Sequence, residues 1–246
     1  MVVRAVRGGG ARPDRRRAAR RGDRREPIRT APWIWGAGGE LVDDEQRPTR
    51  LTFDTPEGRR GLERLLTLRR NGWSPTADEA DAKPVDERFL EGSVAMLLSS
   101  RRDVPLLRTI TDFEWDVAPF PTDAEPASVL HSDGFCVSAR GDSEAAWDWV
   151  EYALGREGQE VLARSGRSVP SLREVAESPA FLEPGDPPAG SRVFLDALEH
   201  MHRLPTTENW TALEERADAI IEELYYGRLG LDEALERLAR ETDGRF

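Results

Sequence analysis

A change of character near Thr30 constrains this chain more than any motif in it. Residues 1–30 hold eleven arginines, three acidic residues and no aromatic side chain, a net charge of +8. The whole chain carries −11, so residues 31–246 carry −19. A stretch so charged and so poor in large apolar residues buries too little surface to offset its ordering entropy, which predicts disorder over 1–30. No apolar run follows the arginines, so the stretch does not read as a secretory signal peptide. Three readings stay open for it: a tail for nucleic acid or anionic surfaces, a transit peptide, or a mis-started or frame-shifted coding segment. A single lysine, Lys83, stands against thirty-four arginines. Such Arg-rich codon usage favours the last.

The 246 residues allow one large domain or two small ones. With 38% hydrophobic and 33% charged residues the chain has material for a core. Its acidic balance disfavours a nucleic-acid partner, which requires a basic face. Cys136 is the only cysteine; it excludes an internal disulfide and a multi-cysteine zinc site, and it reads as a small buried apolar residue. His200 and His202, two apart in a helical stretch, do not share a face and make poor metal ligands. No metal or other cofactor is expected. No apolar run reaches the roughly 18–20 residues that span a bilayer.

Periodicity places the elements. Pro32 to Glu40, PWIWGAGGE, reads as a loop because glycines follow the two tryptophans. Thr55 and Pro56 open a helix carrying Leu62, Leu65 and Leu66, which Asn71-Gly72 ends. Phe89 and Leu90 lie in a short helix. Ser93–Leu98, Glu114–Phe120 and Val129–Ala139 read as strands, the last with a bulge at Gly134. Ser143 caps a helix with Trp147, Val150 and Leu154; a second follows to Gly166. Ser171 and Glu174 have capping-box spacing. Helical spacing returns at Val193–Met201, Trp210–Leu224 and Ala234–Leu238. Many helices and few short strands predict a helix-covered sheet, α/β or α+β mixed.

In order, these segments resemble the family 1 extracellular solute-binding proteins of ABC importers, the maltose-binding-protein-like group. Trp33–Leu41 (WIWGAGGEL) is similar to that family's tryptophan and double-glycine segment. The helix ending at Asn71-Gly72-Trp73 follows. Phe89 to Met96 resembles F-x-x-G-x-x-A-M, and Trp115–Pro121 a strand ending in P-x-P. Ala145-Ala146-Trp147 with Gly158-Gln159-Glu160 resembles the helix pair that comes next. Gly166-Arg167-Ser168-Val169-Pro170 and Gly227 to Leu235 complete the order.

The resemblance implies a type II periplasmic-binding-protein-like fold, represented mainly by its helix-rich C-terminal lobe. It divides the chain into the arginine-rich 1–30, a first part of that lobe at 31–115, a crossover at 116–169 and a helical tail at 170–246. The crossover normally joins an N-terminal lobe, which comes ahead of the tryptophan segment in the family and is missing here. The expectation is therefore a truncated chain that exposes apolar surface at Val129–Val137 and on the helix of Trp147. It implies a binding protein outside the cytoplasmic membrane, in the periplasm or lipid-anchored. Such a protein takes a sugar or oligosaccharide into an interlobe cleft and delivers it to ABC permease subunits.

Sugars offer apolar C–H faces to aromatic rings and hydroxyl rims to polar groups. The resemblance points to Trp33, Trp35 and Trp210 as ring platforms. It places Ser100, Arg101 and Arg102 in a loop where the family often has a tryptophan, with arginine suited to an acidic group. His131, Asp133 and Arg167 would supply polar contacts. An enzyme is the weaker reading: acidic pairs such as Asp43-Asp44 and Glu214-Glu215 fit solvated faces, and no nucleophile elbow, P-loop or HExxH occurs. A small interaction or regulatory protein using the basic tail is the other alternative.

Overall fold

The structure, a computed structural model, describes residues 2–6, 21–22, 30–183 and 186–246. In chain order it forms β1 (Val2–Val6), β2 (Arg21–Gly22), α1 (Ala31–Gly36), α2 (Pro56–Arg70), α3 (Ala77–Ala82), α4 (Val85–Leu90) and β3 (Met96–Leu98). A 3-10 turn at Arg101–Asp103 leads to α5 (Val104–Leu107), β4 (Glu114–Ala118), β5 (Ser128–Val129), α6 (Ser143–Leu154) and α7 (Arg156–Ser165). The rest is α8 (Arg173–Ala176), α9 (Pro179–Leu182), α10 (Val193–Asp196), β6 (Met201–His202), α11 (Trp210–Tyr225) and α12 (Leu231–Thr242). The result is the mixed, helix-rich architecture with few short strands that the sequence predicts.

One core gathers around α2. Thr55 Oγ1 accepts a hydrogen bond from the Gly58 amide at 3.1 Å, and Pro56 occupies the first turn, where no amide donor is needed. Leu62, Leu65 and Leu66 fall on one buried stripe. Ile220, Leu224 and Ala217 of α11 and Ala234, Leu235 and Leu238 of α12 pack into the same cluster. At Gly61 a β-carbon would stand 2.5 Å from the Trp33 carbonyl oxygen. Only glycine therefore lets α1 lie directly on α2.

A second core holds Phe89, Val94, Leu97, Leu107, Trp115 and Val117, closed by Val175, Phe181 and Phe194 of the helices α8 to α10. Its sheet has the order β2-β3-β1-β4. β1 runs antiparallel to both neighbours, with Val2 opposite Leu98 and Ala118. β2 pairs parallel with β3. Separately, β5 and β6 form a two-stranded parallel ladder in which Val129 faces His202.

Several expectations are corrected. Disorder over 1–30 does not hold at Val2–Val6, which occupy an inner strand. Three β-branched valines suit a strand, and ladders on both edges offset the ordering cost. Residues 7–20 and 23–29 lie outside the described residues. The tryptophan segment is the helix α1 rather than a loop, with a proline in its first turn and Gly38 (φ +80°) making the turn after it. The strand over 129–139 shrinks to Ser128–Val129, because a strand exists only where a neighbour pairs with it and β6 is two residues long. Gly134 therefore makes no bulge, and Cys136 is exposed, not buried. Asp142 rather than Ser143 caps α6, accepting from the Glu144 and Ala145 amides. Ser171 caps nothing: Leu172 precedes α8 without a side-chain cap. His202 lies in β6, not on a helix.

Candidate functional site

The end of α1 is held from several sides. The Gly36 carbonyl accepts from the Ala124 and Glu125 amides at 2.8 and 3.3 Å. Arg60 of α2 donates to the Ala37 carbonyl. Thr52 Oγ1 donates to the Glu40 carbonyl at 2.6 Å, and the Thr52 amide to that of Leu41 at 3.0 Å. These bonds fix the Gly38-Gly39 turn and the side chains around it.

Trp35 is buried, and the His202 imidazole stacks on its indole with centroids 4.7 Å apart and planes 14° from parallel. Trp33 is half-buried and meets Phe120 edge-on at 5.0 Å. Its indole N–H finds no acceptor among the described residues. The Glu40 carboxyl sits in this neighbourhood, its pKa raised chiefly because neighbouring atoms take part of its water away. The field of His202 opposes that rise, while Glu45 and Glu125 add to it.

From His202 the ladder carries the chain onward. The Leu130 amide donates to the His202 carbonyl at 2.8 Å. Beyond it come exposed His131 and Asp133, and Asp133 binds Arg102 at 2.9 Å. One continuous strip thus links Trp35, His202, His131, Asp133 and Arg102. Both partners of the Arg102–Asp133 pair are at least half exposed, so the pair exchanges readily for other hydrogen-bonding partners.

The remaining expected residues have different surroundings. Ser100 is exposed before the 3-10 turn. Arg101 turns inward: it is 6% exposed, lies over the Phe181 and Phe194 rings at 4.5 and 4.9 Å, and donates to Ser191 Oγ at 3.2 Å. Burial, then the nearby Arg108 charge, pull its pKa down to about 10. Arg167 is exposed beside Gly166, which packs on Val104 and Arg108. Trp210 is half-buried, 6.2 Å from Phe246, and lines a crevice with Leu41, Leu51, Phe53, Leu204 and Leu213. That crevice holds about 10 Å³, room for one water and too small for a sugar ring.

Sequence reasoning missed His202, Phe120 and Glu125. No local pattern marks them, since Phe120 reaches Trp33, His202 reaches Trp35 and Glu125 reaches the Gly36 carbonyl only through tertiary packing. Glu40 had a signal, as it directly follows the double glycine.

The sequence matches the profile described as bacterial extracellular solute-binding protein over residues 19–186, more than half of the chain. Comparison with curated protein sequences returns no match. Among solved structures, the chain resembles the ABC substrate-binding protein Lmo0181 from Listeria monocytogenes, solved in complex with cycloalternan. There the TM-score is 0.80 and the identity 16%, covering 94% of this chain and 59% of that one. It resembles the maltose-maltodextrin binding protein of Alicyclobacillus acidocaldarius with a TM-score of 0.77 and 16% identity, over 97% of this chain and 68% of the other. It also resembles the GacH receptor of Streptomyces glaucescens, solved unliganded and with acarbose, with a TM-score of 0.70 and 21% identity over 89% and 56%. At such identities the likeness establishes the fold, which is periplasmic-binding-protein-like. The chain spans 59% of the length of Lmo0181.

Proposed function

Since the chain belongs to the bacterial extracellular solute-binding protein family, we propose that it supplies one wall of the carbohydrate site in the binding component of an ABC importer. The observation that carries this reading is the stacked pair of Trp35 and His202 beside the Glu40 carboxyl. His202 keeps part of its surface open. A sugar ring laid on that imidazole places its C–H face on an aromatic plane, with Trp35 behind as a rigid support. Glu40 then accepts hydroxyl hydrogens at the rim. Trp33, His131, Asp133 and Arg102 extend the surface along the strip.

The family is one of transport binding proteins and not of enzymes. In this reading the chain binds its sugar without altering it, works outside the cytoplasmic membrane and passes the ligand to permease subunits. The sugar-binding relatives support it: the Listeria protein was solved with cycloalternan and the Bdellovibrio bacteriovorus protein MalE with maltotriose. Among the described residues no helix is long and apolar enough to cross a membrane.

The test is a tryptophan-fluorescence titration with maltotriose, followed by chromatography of the recovered sugar. Saturable quenching with intact maltotriose is the expected result. Shortened products would point to an enzyme, and quenching that never saturates would sink the binding claim.

A further inference from the structure

Two neighbouring elements hold the end of α1, where the Trp35 platform turns toward Glu40. A helix leaves its last carbonyls without partners of its own. The Gly36 carbonyl accepts from the amides of Ala124 and Glu125, and the Ala37 carbonyl accepts from the Arg60 guanidinium of α2. Ala37 is fully buried, so its carbonyl depends on Arg60 rather than on water.

The 123–125 segment is fastened to α2 as well. Arg60 and Arg64 lie one turn apart on one face of that helix. Arg64 binds one oxygen of the Asp123 carboxylate at 2.9 Å, and Arg60 Nε stands 3.8 Å from the other. Asp123 immediately precedes the two amides that reach Gly36. Its carboxylate therefore pins the segment on one side, and the Gly36 carbonyl holds it on the other.

The segment so held delivers a second carboxylate. A β-carbon on Gly38 would lie 3.9 Å from Glu125 Oε1, and one on Gly36 would lie 3.5 Å from the Glu125 carbonyl oxygen. Glu125 thus lies along the turn that leads to Glu40, and its charge is one of those that raise the Glu40 pKa. Both residues are exposed. Among the described residues no hydrogen bond or ion pair engages either carboxylate.

We infer that Glu125 is a second hydroxyl acceptor on the rim of the carbohydrate wall, and that Asp123 is the positioning residue that holds it there. The inference rests on the reading of this wall as a sugar site. The Trp35–His202 stack alone leaves a ring free to rotate on its plane. Acceptors at two points of the rim fix its orientation. Asp123 spends its carboxylate on two arginines and acts only through Glu125. Glu40 keeps anchors of its own: the Gly39 amide donates to the Ile34 carbonyl at 3.0 Å, and Thr52 Oγ1 to the Glu40 carbonyl at 2.6 Å.

The test is isothermal titration calorimetry of maltotriose with the wild-type chain, Glu125→Gln, Asp123→Ala, the double variant of these two, and His202→Ala. Circular dichroism at the titration temperature checks that each is folded. Glu125→Gln is expected to weaken binding roughly fivefold, the scale of one hydrogen bond to a charged group at an exposed position. Asp123→Ala is expected to weaken it by a similar factor. The double variant is expected to bind no more weakly than Glu125→Gln alone, because one residue acts through the other. A merely structural role for Asp123 would multiply the two losses, and that result overturns the inference. Binding as tight as wild type in either single variant overturns it too. If His202→Ala still abolishes binding in that case, the stack is a sugar site and the rim assignment alone has failed. A wild-type chain that binds no maltotriose, or binds it equally well after His202→Ala, overturns the inference together with the reading beneath it.

Discussion

His202 lies face to face on Trp35, 4.7 Å between ring centroids, and so joins β6 to the end of α1. An aromatic pair of this kind contributes about 0.5–1.5 kcal/mol beyond its area burial. His202→Ala is expected to lower the urea midpoint by a corresponding amount and to change the Trp35 emission, while far-UV circular dichroism stays as it is. An unchanged midpoint would mean that the stack does not hold the two elements together.

Gly61 sets the distance between α1 and α2. A methyl group there meets the Trp33 carbonyl at 2.5 Å and the Ile34 Cα at 2.7 Å, both backbone atoms that cannot swing aside. Gly61→Ala is expected to destabilise by roughly 1–3 kcal/mol, as overpacking does. For a chain of this size each kcal/mol moves the melting temperature by roughly 2–4 °C. Calorimetry checks it. Gly72→Ala makes a useful contrast: no atom crowds that position, but its φ of +65° strains any β-carbon.

Asp43 organises the loop between Leu41 and Leu51. Its carboxylate accepts from Thr49 Oγ1 at 2.5 Å, the Thr49 amide at 2.8 Å and the Arg50 amide at 3.2 Å. Led by the Thr49 hydroxyl, these bonds lower its pKa from 3.8 to about 2. The folded state thus prefers the ionised form. The stabilisation is present in full above the unfolded value of 3.8 and disappears as pH falls through about 2. The difference in urea midpoint between wild type and Asp43→Asn is expected to be constant at pH 5–7 and to shrink towards pH 2. A difference that does not vary over that range would contradict the assignment.

Adjacent arginines behave oppositely. Arg101 lies over the Phe181 and Phe194 rings, a contact that suits its broad guanidinium. Arg101→Lys is expected to cost about 1–2 kcal/mol of stability, on the scale of a desolvated cation–π contact. Arg102→Ala removes an exposed pair with Asp133, worth about 0.2–1 kcal/mol and weaker in salt. In a ligand titration the order reverses: Arg102→Ala affects binding, and Arg101→Lys at fixed folding does not.

Where local chemistry decides, the sequence was legible. The α2 stripe and its Thr55-Pro56 entry, and the apolar periods of α11 and α12, all appear where spacing places them. Val129–Ala139 read as a strand, but among the described residues the β-ladder there covers only Ser128 and Val129. β1 was invisible because its order comes from β3 and β4, which lie some ninety or more residues away in the sequence. The site divides the same way. Trp33 and Trp35 stood out through the family resemblance, yet nothing local says that Trp35 is covered and that His202 covers it. Arg101 and Arg102 are chemically identical, so only the 3-10 turn distinguishes the buried one from the exposed one.

The most direct test of the account is saturation-transfer difference NMR of maltotriose with the wild-type chain and with His202→Ala, since the method registers weak binding to a single wall of a cleft. The account predicts transfer to the sugar ring C–H protons in the wild type and its loss in the variant, with maltotriose unchanged throughout. Transfer of equal strength in both proteins, or none to either at millimolar sugar, would contradict it.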